Sequence, residues 1–359
     1  MTKKPASGQP RFGRALAFVV VVGSVTMTPT IVQADEGGVS FWIPGLFGSL
    51  AASPLVPGFA VSTTYYHTSV NAGADVAFAR QVSRGNLQVN FTGNLAANLK
   101  AEAELPWAVP SYTFAERFLG GQATVMMLVP YGTTRTSVDT TLTGNLGLGG
   151  PGFTISPGTS DRMNGFGDLY PMFTLRWNQG VDNYMLYATG NLTVGRYHQQ
   201  SLANLGIGHN AFDAGGSYTY LDQKSGMEFS ATLGFTFNFE NTHTQYQNGV
   251  DMHLDMGASR FLTKQLQLGL VAYGYQQVSC DSGSGDRVGC FESRVFGAGP
   301  QVGYIIPIDE HLQGYLNIKA YKEFGEQHRP AGWNTWVTFA ISPAPPEEKS
   351  KTTTPMMRK

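Results

Sequence analysis

Residues 227–240 read MEFSATLGFTFNFE, and the chemical character reverses at every step. On an extended chain successive side chains point to opposite faces. Met227, Phe229, Ala231, Leu233, Phe235, Phe237 and Phe239 therefore share one face, and Glu228, Ser230, Thr232, Gly234, Thr236, Asn238 and Glu240 share the other. A soluble sandwich strand sustains such alternation for about 5–6 residues, whereas crossing a bilayer takes about 9–11 tilted residues. This run is longer than either, and its carboxylates are confined to the polar face. The pattern is that of a transmembrane strand with apolar residues toward lipid and polar residues toward a lumen.

The pattern recurs along the chain. Between residues 88 and 105, Val89, Phe91, Leu95 and Leu99 oppose Asn90, Asn94, Asn98, Lys100 and Glu102. Between 250 and 260, Met252, Leu254 and Met256 oppose Asp251, His253 and Asp255, and between 312 and 321, Leu316 and Ile318 oppose Asn317 and Lys319. These polar positions, with Glu228 and Asn238, are the candidate lumen-lining residues. Wall strands are predicted at 58–68, 74–82, 86–104, 121–130, 134–146, 166–178, 181–195, 212–221, 227–240, 250–260, 265–278, 294–307, 311–324 and 333–341. The fold class is all-β, a transmembrane antiparallel up-and-down β-barrel of about 14 strands, with 12 as the alternative count. Predicted connections alternate in length, short at 83–85, 131–133, 179–180 and 261–264, long at 105–120, 147–165, 196–211 and 279–293, as such barrels require.

Composition agrees. Charged residues make up 14% of the chain and glycine 44 of its 359 residues; soluble domains carry about 25% charged residues and about 7% glycine. Residues 1–34 read as a signal peptide: Lys3, Lys4, Arg11 and Arg14, an apolar run from Ala15 to Met27, then Val32-Gln33-Ala34 as a cleavage site. Its removal takes away four of the 24 Lys and Arg and none of the 25 Asp and Glu, leaving a net charge near −5 and no reason to expect nucleic acid. Residues 35–57 hold Pro44, Pro54 and Pro57 and do not alternate, which leaves a periplasmic lead-in or a plug in the barrel mouth. The barrel is expected over 58–342 and a disordered tail over 343–359. The two cysteines, Cys280 and Cys290, flank a Gly/Ser loop and in an exported protein point to one disulfide.

Chemistry-bearing motifs are sparse. Asp251, His253 and Asp255 share a face, but alternate strand residues sit nearly ~7 Å apart and do not converge on one ion. No metalloprotease spacing, nucleophile elbow, phosphate loop or EF-hand loop is present. The sequence implies no cofactor, no metal and no catalytic residue. A mixed polar interior with inward aromatics such as Tyr315 and Tyr321 suits a narrow conduit for small amphipathic molecules.

At Gly165-Phe166-Gly167-Asp168-Leu169-Tyr170-Pro171, Gly216-Ser217-Tyr218-Thr219-Tyr220, the Cys280–Cys290 loop, Tyr321-Lys322-Glu323-Phe324 and Gly332-Trp333-Asn334-Thr335-Trp336, the chain resembles the meta-pathway phenol-degradation family of outer-membrane proteins. The resemblance runs from about residue 37 to 342. It implies a barrel similar to the aromatic-hydrocarbon and fatty-acid channels, whose N-terminal plug favours the plug alternative for 35–57. The expectation is a channel of the bacterial outer membrane for passive uptake of hydrophobic or aromatic small molecules, with lipid as its surroundings. The alternatives are an outer-membrane enzyme and a structural or adhesive barrel.

Overall fold

The computed structural model describes residues 40–73, 93–145, 152–155, 158–286, 290 and 292–345. The signal-peptide reading, the strand expected at 74–82, Asn90 and the tail beyond residue 345 lie outside these. The strands are β1 (Gly58–Ala72), β2 (Gly93–Phe118), β3 (Gly121–Asn145), β4 (Gly152–Ile155), β5 (Gly158–Phe166), β6 (Tyr170–Gln179), β7 (Asp182–Gly190), β8 (Ala211–Asp222), β9 (Met227–Asn238), β10 (Asp251–Phe261), β11 (Leu266–Gln277), β12 (Arg294–Pro307), β13 (Leu312–Gln327) and β14 (Ala331–Pro343). All are antiparallel to their neighbours. Among the described residues twelve of them close a ring, because β1 pairs with both β14 and β2, and β2 pairs with β3. The short β4 and β5 pair only with β3, beyond the point where β6 leaves it.

The ring is inside-out relative to a soluble protein. Along β9, Met227, Phe229, Leu233, Phe235 and Phe237 are exposed, while Glu228, Ser230, Thr232, Gly234, Thr236 and Asn238 are buried. The apolar face therefore meets lipid and the polar face meets the interior, where every donor and acceptor needs a partner. The β2–β3 connection is two residues, Leu119 (φ 50°) and Gly120 (φ 75°). Both central residues at positive φ make the hairpin turn whose twist matches that of its strands.

The ring has the twelve strands of the alternative count: the segments 121–130 and 134–146 are a single strand, and the strand expected at 74–82 lies outside the described residues. The loop expected at 105–120 is the continuation of β2 to Phe118. Pro106, Pro110, Pro130 and Gly132 mimic strand breakers, yet each proline removes only its own N–H from a long ladder. The lengths of β2 and β3, 26 and 25 residues, also exceed the bilayer crossing by more than double.

That excess inverts one face assignment. Asn98, Lys100 and Glu102 are exposed on the outside of β2, whereas Leu99 on the inner side is buried against Ala72, Val138 and Leu202. Above the lipid the outer face meets water and the inner face packs under the loops, so the polarity of the two faces is reversed. Asn94 lies in β2 as well.

Leu233, midway along β9, projects into lipid, and Phe229 does so near the short-turn end. Leu233→Arg is expected to cost about 2–4 kcal/mol and Phe229→Arg about 0–1 kcal/mol, read from denaturant-dependent folding into vesicles. Equal, negligible costs would contradict the lipid-facing assignment.

Candidate functional site

Residues 40–57 run inside the ring before β1 begins. This stretch, SFWIPGLFGSLAASPLVP, has two glycines and three prolines and joins no strand ladder. Its backbone N–H groups still require acceptors, and wall side chains supply them. Asp255 on β10 accepts from Gly45 N at 2.8 Å and Phe47 N at 3.2 Å. Glu228 and Ser230 on β9 accept from Leu50 N at 2.9 and 3.0 Å, and Thr219 on β8 from Ala52 N at 3.0 Å. In the other direction Lys319 on β13 donates to the carbonyls of Gly45 and Phe47, and Gln301 on β12 to Ser49 Oγ. Asp255 and Lys319 thus grip one turn of this segment through its amides and its carbonyls respectively.

A second attachment is aromatic. Trp42 stacks on His253, with ring centres 3.7 Å apart and planes 13° from parallel, and its other neighbours are Phe47 and Tyr187. His253 is wholly buried, with Nε2 donating to Asp213 Oδ2 at 3.0 Å. Tyr187 donates to Asp213 Oδ1 at 2.7 Å, and Thr236 donates to Oδ2. The convergence of four strands on Asp213 depends on Gly234, where a Cβ would stand 1.9 Å from Tyr187 Oη and 2.6 Å from the His253 ring.

The candidate lumen residues separate accordingly. Glu228, Asp255 and Lys319 hold the N-terminal segment, and His253 carries Trp42. Asn238 donates to Asp251 at 2.9 Å and to Gly249 O at 2.8 Å, bracing β9 against the start of β10. Asn317 lies lower on β13, beside Tyr315, whose hydroxyl donates to Gln267. The three residues Asp251, His253 and Asp255 each turn to a different partner rather than to a common point. Cys280 and Cys290 form a disulfide in the β11–β12 loop. Nearby, Asp281 accepts from Tyr246, Gly249 N and Gln277, which ties that loop to its neighbour.

Sequence reasoning passed over the residues that shape the interior space. A cavity of about 240 Å³ lies between the N-terminal segment and the β1–β2–β3–β6 side of the wall. Trp42, Leu46 and Phe47 bound it from the segment; Trp107, Met126, Met172 and Trp336 bound it from the wall. Trp107 and Trp336 pack edge to face at 5.4 Å, and Tyr66 leans on both. Lys319 is the only charged residue in the lining. Period-two alternation could have placed Met126 and Met172 inward, but not their meeting, which needs the β3–β6 register.

The wall here is thin in two senses. A second, open groove of about 640 Å³ lies on the lipid side, bounded by Phe59, Tyr112, Val125, Phe173 and Phe212. Met126, Met172 and Thr189 line both spaces. The ladders beside them are also interrupted: β3 pairs with β6 only as far as Leu128 and with β5 only from Tyr131. The β2–β3 ladder likewise skips from Ala108 to Ser111 around Pro110. A proline contributes no N–H to a ladder, and Pro110, Pro130 and Pro171 gather at this place.

Residues 61–339 match the protein family described as "Putative MetA-pathway of phenol degradation". No curated protein matches the sequence. An outer membrane channel from Pseudomonas putida F1 is 11% identical and superposes with a TM-score of 0.58, covering 84% of this chain and 100% of that one. A FadL homologue from Pseudomonas aeruginosa (10% identity, TM-score 0.37, 86% and 95% coverage) lies further off. So does the CymD monoaromatic hydrocarbon channel (6% identity, TM-score 0.33, 81% and 89% coverage). The family match runs from β1 to β14, and the chain belongs to that family as a transmembrane β-barrel of the bacterial outer membrane.

Proposed function

We propose that the protein is a passive uptake channel for small hydrophobic or aromatic compounds, with residues 40–57 as a plug. The observation that carries this reading is the aromatic and methionine-lined cavity against the inner wall, separated from a lipid-side groove by Met126, Met172 and Thr189. An apolar cavity of about 150 Å³ is enough to hold benzene, so 240 Å³ accommodates a substituted single ring. A ligand entering from the loop side sheds its water against Trp107 and Trp336 and leaves down its gradient. The wall beside Met126 and Met172, where the β2–β3 ladder skips and β3 leaves β6, offers the exit, into the membrane rather than along the axis that the plug fills. The polar groups lower in the lumen are engaged with one another and with the plug, which does not suit a continuous water path. No energy-coupling element enters this scheme.

A conduit is favoured over an enzyme for a similar reason. The buried Asp213–His253 pair has an imidazole face covered by Trp42, and its Nε2 is occupied by Asp213 and Tyr187. The arrangement fastens the plug rather than presenting a base to a substrate.

In planar bilayers the protein is expected to pass little ion current while, in liposomes, it speeds permeation of single-ring apolar compounds. Large steady conductance, or permeation no faster than in protein-free liposomes, would refute the reading. Gly257 packs so closely on the plug that a Cβ would stand 2.5 Å from Ser49 N. Gly257→Leu should therefore displace the plug and raise conductance several-fold, and an unchanged conductance would show that residues 40–57 do not occlude the lumen.

Met126 and Met172 are directly opposed across the β3–β6 seam. A Met126→Cys, Met172→Cys pair, once oxidised, is expected to lower hydrocarbon permeation, with recovery on reduction. Permeation indifferent to the redox state would place the exit elsewhere.

A further inference from the structure

Lys319 is 6% exposed and stands at one pole of the cavity just described. Its Nζ is 4.7 Å from the centre of the Trp336 ring and donates to Gly45 O and to Phe47 O at 3.0 Å. An ammonium has three donors, so these carbonyls leave one N–H uncommitted. Carbonyls also solvate a positive charge without cancelling it, and among the described residues no carboxylate lies within ion-pair distance of Nζ. Asp255 holds the same plug turn, but its two oxygens are turned to the amides of Gly45 and Phe47.

Hydroxyl groups share the lining with Lys319: Thr338 on β14, two residues on from the lysine's cross-strand partner Trp336, stands 3.0 Å from Thr64 on β1. Val109, Met126, Leu128 and Met172 make up the apolar pole, where Thr189 opposite Met172 and Tyr170 opposite Leu128 are the hydroxyl-bearing residues and no charge is present. The cavity is therefore largely apolar, with a single cation and the Thr64–Thr338 hydroxyl pair in its lining.

We infer that Lys319 makes this cavity selective for hydrophobic monocarboxylates of about one ring, the carboxylate meeting Nζ and the threonine hydroxyls and the body filling the apolar pole. The inference rests on the uptake reading above and narrows it from hydrophobic compounds in general to those with one anionic head. A burial this complete would make an unpaired ammonium costly, and an incoming carboxylate removes that cost while gaining a charge-assisted hydrogen bond.

The test compares 4-ethylbenzoate with its neutral amide, 4-ethylbenzamide, on the purified full-length protein in detergent at neutral pH, by quenching of tryptophan fluorescence. The wild-type protein is expected to bind the carboxylate about tenfold more tightly than the amide, the size of one charge-assisted hydrogen bond. Lys319→Met should abolish that preference with amide binding retained, and Lys319→Arg should keep it.

Because Lys319 also holds the plug, Thr338→Val serves as a second probe that leaves the plug contacts intact. It should weaken the carboxylate alone, by a smaller factor. Equal affinities in the wild type, a preference that survives Lys319→Met, or a Thr338→Val protein with unaltered carboxylate affinity would overturn the inference and leave the uptake reading standing. Failure of both compounds to bind would remove the uptake reading as well.

Discussion

Hydrocarbon offers no hydrogen-bond partner, so every backbone N–H and C=O within it must be paired by the protein itself. Strands meet that demand only when their sheet has no edge, and the pairing of β1 with β14 removes the last edge here. The remaining organisation answers to closure. A ring has an outside that must be apolar and an inside that must be filled, and β9 shows both conditions in twelve alternating residues. The filling is done partly by the wall's own polar network and partly by residues 40–57, whose amides find side-chain carboxylates and hydroxyls in place of a strand neighbour.

The inner and outer faces have unequal freedom. Outside, within the lipid, any apolar side chain serves, and the phenylalanines of β9 are spaced without regard to one another. Inside, positions depend on particular partners. Asp213 draws donors from β7, β9 and β10, and the arrangement closes only because residue 234 has no side chain. Residues 40–57 are attached at both kinds of contact, by an indole on an imidazole and by a carboxylate and an ammonium on opposite edges of one turn.

Much of this architecture was legible in the sequence, because a lipid-facing strand must alternate over a length that soluble strands rarely reach. The strands from β6 to β14 fall close to their expected places. Reading failed where alternation stops reporting on lipid. In β2 and β3 the strands outrun the bilayer, so Asn98, Lys100 and Glu102 lie on the outer face although their polarity resembled that of a lumen. The connections expected at 105–120 and 131–133 are strand instead, and Pro110 within the first marks only a skip in the β2–β3 ladder. The cavity was the least legible part. Trp42, Trp107 and Trp336 are distant in sequence, and only the closed ring brings them to one space.

Residues 40–57 immediately precede β1, and β1 is one of the two strands of the ring's closing joint, paired with β14 over eleven residues from Val61 to Asn71. Contacts between chain ends are the slowest to form, since the whole intervening chain must first be ordered. The strand that completes the ring therefore arrives already tethered to the piece that fills it. Closure of the ring is thereby coupled, through a single peptide bond at Pro57–Gly58, to the segment that binds its inner wall.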